Sequence, residues 1–369
     1  MGKYRICVYA ICKNEEKFVD RWMDSMLEAD QVVVLDTGST DGTAEKLRKR
    51  GAWVWEETIT PWRFDTARNR SLELVPKECD ICVCTDLDEV FEPGWRTALE
   101  AAWNENIQRI RYRYTWSFQP DGSEGVVFWL DQIHANHRFH WTHPVHEVLS
   151  YLGEGDYQTG TAPGIQLNHY PDPQKSRAQY FPLLELSVRE CPEDDRNMHY
   201  LGREYMYHQQ WDNCIETLKR HLAMPQATWA DERAASMRYI ARSYEAKGDF
   251  AQARCWLYRA IGEAPHLREP YMDMAALLYR QEEWEGVLFM VLGALKIAER
   301  PLSYISEPSA WGSAPYDYGA IACYWLGDYR RAMELVEQAL QESPENERLL
   351  DNQRRIRAAL EAVQTDEIK

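Results

Sequence analysis

Within its 369 residues the chain has no apolar run near the ~18–20 residues that a membrane helix requires. A helical membrane span is therefore excluded from the reading. The opening MGKYRICVYAICKNEE breaks into charge too early for a secretory signal peptide. Without an export signal, the nine cysteines are expected to be reduced thiols and the protein cytoplasmic. Basic arms are missing as well. Residues 1–170 hold 18 Lys+Arg against 27 Asp+Glu (−9) and the remainder 24 against 32 (−8), so the net charge of −17 is evenly spread. That disfavours nucleic acid as a partner, which binds by phosphate neutralisation, although IQRIRYRY is a local basic cluster. No second C-x-x-C follows CDIC at 79–82, and that run reads as a buried strand with cysteine as a small hydrophobe, not as zinc ligands. The lack of a glycine-rich basic amino-terminal loop speaks against nucleotidyl transfer onto a sugar phosphate.

What the sequence does contain falls into two halves of different periodicity. Up to about residue 170, short β-type runs alternate with helix-compatible segments: YRICVYAI, QVVVLD, AWVWEE and DICVCTDLDE separated by CKNEEKFVDRWMDSM, AEKLRKR and FDTARNRSLELV. Strands separated by helices imply a mainly parallel sheet, whose ligand crevice lies at the carboxyl ends of the strands. Asn14, Glu15, Asp36, Asp86 and Asp88 all fall at such ends. From about residue 196 the pattern is helical and repeats four times, each unit placing an aromatic (Trp211, Phe250, Trp284, Tyr329) at the start of a second helix that closes near a proline (Pro225, Pro265, Pro301, Pro344). The aromatic spacings of 39, 34 and 45 bracket the ~34-residue tetratricopeptide period. The expected domains are 1–172 (α/β), 173–195 (a connecting helix) and 196–369 (tetratricopeptide-like repeats with a charged capping helix).

Asp86, Asp88 and Glu89 lie within four positions after a hydrophobic strand and repel one another unless something positive sits among them. A divalent cation, or a metal-bound diphosphate, meets that need. Together, ICKNEEKFV, VVVLDTGSTDGT, ARNRSLE and TDLDEVF resemble the nucleotide-sugar domain of family 2 glycosyltransferases, of GT-A fold, over residues 4–170. The D-x-G-S-x-D-G-T element carries more of that resemblance than D-x-D alone. The resemblance implies that Asp36 meets the base or ribose, with Asn14, Glu15 and Asp41 lining the same pocket. It implies that Arg68 meets the base or diphosphate, that Asp86 holds ribose or metal, and that Asp88 ligates the metal.

Five of the ten histidines stand at every third position of HANHRFHWTHPVHE: His134, His137, His140, His143 and His146. Steps of three alternate faces in a strand and drift around a helix, so a shared zinc is not expected. PVHEVL resembles the V-H-E element of some family 2 enzymes, which implies that His146 completes a metal set with Asp86 and Asp88. Imidazole in the set favours Mn²⁺ over Mg²⁺. Glu147 is then a candidate general base or a partner that orients His146, Asp131 is the reserve base, and His169 in LNHYPD is a further candidate near metal or diphosphate. The expected activity is metal-dependent, inverting sugar transfer from a nucleotide-sugar, a UDP-sugar foremost, to a hydroxyl or thiol of a peptide, protein or glycan. The repeats would recruit the acceptor or form a homodimer. The competing expectation is an inactive repeat scaffold that binds peptides.

Overall fold

The computed structural model describes residues 2–173 and 178–367, which divide into two compact units, 1–191 and 192–369. Part of the segment read as a connecting helix, 174–177, lies outside the described residues. Among the described residues, no helix is long and apolar enough to cross a membrane.

In the first unit the strands are β1 (Ile6–Cys12), β2 (Gln31–Asp36), β3 (Trp53–Glu56), β4 (Ile81–Cys84), β5 (Glu89–Phe91), β6 (Ile107–Thr115), β7 (Val127–Ala135), β8 (Phe139–Thr142), β9 (Val148–Tyr151) and β10 (Gln158–His169). Its α-helices are α1 (Val19–Ser25), α2 (Thr43–Lys49), α3 (Phe64–Glu73), α4 (Trp95–Ala102) and α5 (Tyr180–Glu190). Eight strands form one sheet in the order β3-β2-β1-β4-β7-β6-β10-β5, and β8 and β9 make a separate hairpin. The β3, β2, β1 and β4 neighbours are parallel, as are β6 and β10, whereas β7 and β5 enter antiparallel. The sheet is therefore mostly parallel, with β5 and β7 as its antiparallel members.

Alternation along β1 sorts the core. Ile6, Val8, Ala10 and Cys12 face one layer with Trp22 and Met23 of α1, Leu47 of α2, and Trp95 and Leu99 of α4. Cys7 and Tyr9 face the other, with Cys82, Cys84, Val75 and the hairpin residues Phe139, Trp141 and Leu149. Strand burial on both faces is what a continuous apolar run encodes. Cys79, Cys82 and Cys84 are all buried free thiols.

The second unit contains α6 (Asp195–Tyr207), α7 (Trp211–Ala223), α8 (Ala230–Ala246), α9 (Phe250–Glu263), α10 (Arg268–Arg280), α11 (Trp284–Leu295), α12 (Ala314–Trp325), α13 (Tyr329–Glu342) and α14 (Glu347–Glu367). Trp211, Phe250, Trp284 and Tyr329 are each the first residue of a second helix, as the repeat pattern predicts. Asp249 and Asp328 cap two of these helices by accepting from the amides of Gln252 and Arg331. Small residues let paired helices approach: a Cβ at Gly202 of α6 would stand 2.3 Å from the Leu218 side chain of α7. The insertion before α12 folds back within the unit, where the Trp311 indole and the Glu307 amide both donate to Glu269. In α14, Leu349 and Ile356 are buried and most other positions are exposed, as a solvating cap requires.

Candidate active site

Asp36 ends β2, Asn14 lies two residues beyond β1 and Asp86 two beyond β4. Because these three strands are parallel, their carboxyl ends share one rim. There the loop after β1 and the TGSTDGT loop after β2 are knitted together. The Asn14 side-chain oxygen accepts from the Thr40 amide at 2.7 Å, and its own backbone amide donates to Ser39 Oγ at 2.8 Å. The Glu15 amide donates to Thr43 Oγ1 at 2.8 Å, and Glu15 itself is buried. Asp36 is buried too. Its Oδ1 accepts from the amides of Gly38 (2.9 Å) and Ser39 (2.7 Å), holding the turn in which Gly38 adopts φ 109°, while Oδ2 accepts from the Cys12 thiol. Asp41 accepts from the amides of Thr43 and Glu16. Burial works the other way, yet the hydrogen bonds from Thr43 hold its carboxyl below the usual range. Asn14 and Asp41 line an open cleft of about 390 Å³ with Glu16, Lys17, Lys46 and Asp172. Its two lysines bear no motif, and the sequence reading passed over them.

The acidic element is organised by Arg68. Its buried guanidinium meets Asp86 at 3.0 Å, the Cys84 sulfur at 3.2 Å and the Glu147 carboxylate through Nε. Arg68 thus joins the D-x-D loop to the turn at 143–147 between β8 and β9. The next residue, Asn69, clamps the same hairpin, donating to the Trp141 carbonyl and accepting from the Trp141 amide, both at 2.8 Å. The guanidinium expected to meet a base or diphosphate is here engaged on three sides by the protein. Glu147 likewise reaches Arg68, and its side chain is only 10% exposed. Asp131, on β7, pairs with Arg109 at 2.8 Å and keeps 37% of its side chain exposed.

Strand β5 does what the sequence did not announce. It is three residues long, yet it pairs antiparallel with β10 and sets Glu89 opposite His169. His169 Nε2 then lies 3.4 Å from Asp88 Oδ2, and its Nδ1–H donates to the Trp116 carbonyl at 2.8 Å. A backbone carbonyl on Nδ1 fixes the tautomer that leaves Nε2 to face a metal or carboxylate. Burial alone would push this imidazole down, but Asp88 outweighs it and holds the pKa above its ordinary value. Glu89 is pushed up to about 7, by burial first and by Asp86 second. Asp86 remains 42% exposed with Arg68 its cation. The indole of Trp116, 39% exposed, stacks on His169, whereas Trp141 is core.

The five spaced histidines do not converge. His134 is fully buried on β7, 2.8 Å from the Tyr9 hydroxyl, and burial pushes it down to about 4. His137, His143 and His146 occupy turn positions with φ of 57°, 76° and 51°, and His140 lies on β8. The His146 ring sits 6.1 Å from that of Tyr180 on α5. Among the described residues, neither His146 nor His169 forms with Asp86 and Asp88 a set of three ligand atoms within 4.8 Å of one another; the group that does is His199, His221 and Glu232, in the other unit.

Residues 7–131 match the family described as glycosyl transferase family 2. The lipopolysaccharide core biosynthesis glycosyltransferase LpsC of Rhizobium meliloti (strain 1021) is 28% identical over 99 residues, 26% of this chain. The match spans 36% of that protein's length. Among solved structures, yeast Tom70 is similar over 52% of this chain and 38% of its own, at 12% identity and a TM-score of 0.39. A thermophilic TPR protein of Thermus thermophilus is similar over 49% and 88%, at 17% identity and a TM-score of 0.33.

Proposed function

We propose, on the premise that the amino-terminal unit contains a family 2 glycosyltransferase domain, that the chain moves a sugar from a nucleotide-sugar donor to a hydroxyl or thiol acceptor with inversion. The observation that carries this reading is the gathering of carboxylates at the ends of parallel strands: Asp86 and Asp88 on the loop after β4, Glu89 pushed up to about 7 by burial and by Asp86, and His169 Nε2 turned toward Asp88. Hard carboxylate oxygens with one imidazole suit Mn²⁺ by their chemistry, and Asp86 and Asp88 would hold such an ion once their side chains close on it. Of the two histidine candidates, the 3.4 Å approach favours His169 over His146 as the third ligand. A bound cation of this kind neutralises the departing diphosphate.

The protein's own groups do the remainder. Asn14, Asp41, Lys17 and Lys46 border the cleft in which a nucleotide would lie. Arg68 holds Asp86 toward the rim and Glu147 away from solvent, so Glu147 serves as a positioning residue. Asp131 is the more exposed of the two carboxylates and is assigned the proton from the acceptor as that oxygen or sulfur attacks the anomeric carbon. The donor is a UDP-sugar. The acceptor is a glycan, peptide or protein, presented with the help of the repeat unit; the name of LpsC, a lipopolysaccharide core enzyme, supports a glycan.

A screen of UDP-, GDP- and dTDP-sugars with Mn²⁺ tests the reading, with water standing in for the acceptor. Slow hydrolysis of one donor, dependent on Mn²⁺, is the expected result. No binding and no hydrolysis across the panel would leave the chain as a repeat scaffold with an inert α/β unit.

A further inference from the structure

Helices α6, α7 and α8 each contribute one polar side chain to a closed point in the second unit. His199 of α6 and His221 of α7 are both 0% exposed, and Glu232 of α8 is buried. One ligand atom from each lies within 4.8 Å of the other two. Between the imidazoles stands Ser236, whose hydroxyl is 2.7 Å from His199 Nδ1 and 3.0 Å from His221 Nδ1. The rings are 5.5 Å apart between centroids and inclined by 59°. Both Nε2 atoms are buried without a hydrogen-bond partner among the described residues, and His221 Nε2 stands 3.4 Å from Glu232 Oε1. The second carboxylate oxygen accepts from the Tyr304 hydroxyl.

Two buried imidazole nitrogens without a well-formed hydrogen bond are costly, because each loses its water; His199 Nε2 regains none of it, and His221 Nε2 only the 3.4 Å approach of Glu232. A hydroxyl has one proton, so in the metal-free protein Ser236 can donate to one Nδ1 and accept from the other. The ring that receives that proton must carry its own on Nε2; the other presents a bare Nε2 lone pair. If instead both rings donate from Nδ1 into the two lone pairs of Ser236, both Nε2 atoms become ligands. That change is a tautomer shift of one ring with no net proton release. It reproduces the arrangement in which the far nitrogen of a ligating histidine donates to a fixed acceptor.

We propose that His199 Nε2, His221 Nε2 and Glu232 Oε1 form a structural transition-metal site, suited first to Zn²⁺, that fastens the first helix pair of the repeat unit to α8. Two imidazoles and a carboxylate are zinc donors, and tetrahedral bonds of ~2.0–2.1 Å place ligand atoms about 3.4 Å apart. The His221–Glu232 pair already has that separation. The fourth position falls to a water or to the second carboxylate oxygen. Arg203 and Arg196 act electrostatically on His199, so a dication is stable there only with the Glu232 charge in the set. The sequence separations are 22 and 11 residues, unlike the short paired spacings of zinc motifs, which is why pattern reading alone passes over the site.

The test uses the full chain, stripped with a chelator, re-equilibrated with Zn²⁺, dialysed and analysed for metal, alongside Asp86→Asn/Asp88→Asn and His199→Gln/His221→Gln variants. One retained equivalent in the wild type and in the Asp86/Asp88 variant, lost in the histidine variant, is the expected result. No retained equivalent, or one that survives in the histidine variant, overturns the proposal. Should that variant fail to fold, X-ray absorption of the zinc-loaded wild type decides: two imidazoles among light-atom ligands support the site, and sulfur or oxygen alone refutes it. Neither result bears on sugar transfer, which resides in the other unit.

Discussion

The two units treat buried charge in opposite ways. In the repeat unit, charges are matched within the protein: Asp273 takes Arg238 and Arg242, both of which also reach Glu307, and Asp317 takes Arg348. Opposite charge holds Asp273 and Glu307 below the usual carboxylate range even though burial works against it. At the rim of the sheet, Asp86 meets Arg68, Asp88 meets His169, and Glu89 is pushed up instead, by burial first and by Asp86 second. Charge that balances within the chain serves the fold. Carboxylates gathered at strand ends are, on the reading proposed above, where a cation and a diphosphate arrive from outside.

The sharpest way to break this comparison is Asp88→Asn. Removal of a rim carboxylate should lower donor hydrolysis on the order of 1000-fold, while the chain still unfolds cooperatively. Asp273→Ala should do the reverse. Arg238 and Arg242 lose one of their two shared partners and keep Glu307, the chain loses about 3 kcal/mol in denaturant unfolding, and donor hydrolysis is unchanged. Next in size, His169→Ala should lower activity about 10–100-fold, with weaker Mn²⁺ activation, and His146→Ala should do less. The reverse ranking would return the third ligand to His146.

The smallest effect is a pH slope. An unfolded chain protonates His134 near its ordinary value of 6.5, but the native state resists until about 4. The unfolded state therefore binds more protons across that window, so this contribution to stability is complete above pH 6.5 and declines as pH falls toward 4. The slope should be about 1.4 kcal/mol per pH unit at most, and His134→Gln should make it shallower in urea titrations.

Much of this was legible in the sequence where the cause is local. QVVVLD is β2 residue for residue, the aromatics open the second helices, and the capping aspartates sit one residue ahead of Phe250 and Tyr329. Period and capping are properties of neighbouring residues, and a sequence displays them directly. Contacts made by distant segments were hidden. The pairing of Glu89 with His169 spans 80 residues through a three-residue strand, and Arg68 meets Glu147 79 positions away. The spaced histidines drew the eye to 134–146, yet three of the five occupy turns and His134 is packed in the core. The clustered pair, His199 and His221, had no pattern to betray it because helix packing alone brings the two together.

The central claim, that the carboxylates at the sheet rim receive a cation and a nucleotide diphosphate, is tested most directly by thermal unfolding with Mn²⁺ and the nucleotide-sugar panel, singly and together. The account predicts that one donor raises the melting temperature only when Mn²⁺ is present, and that Asp86→Asn/Asp88→Asn abolishes the rise. An equal rise in that variant, or none with any donor in the wild type, would contradict it.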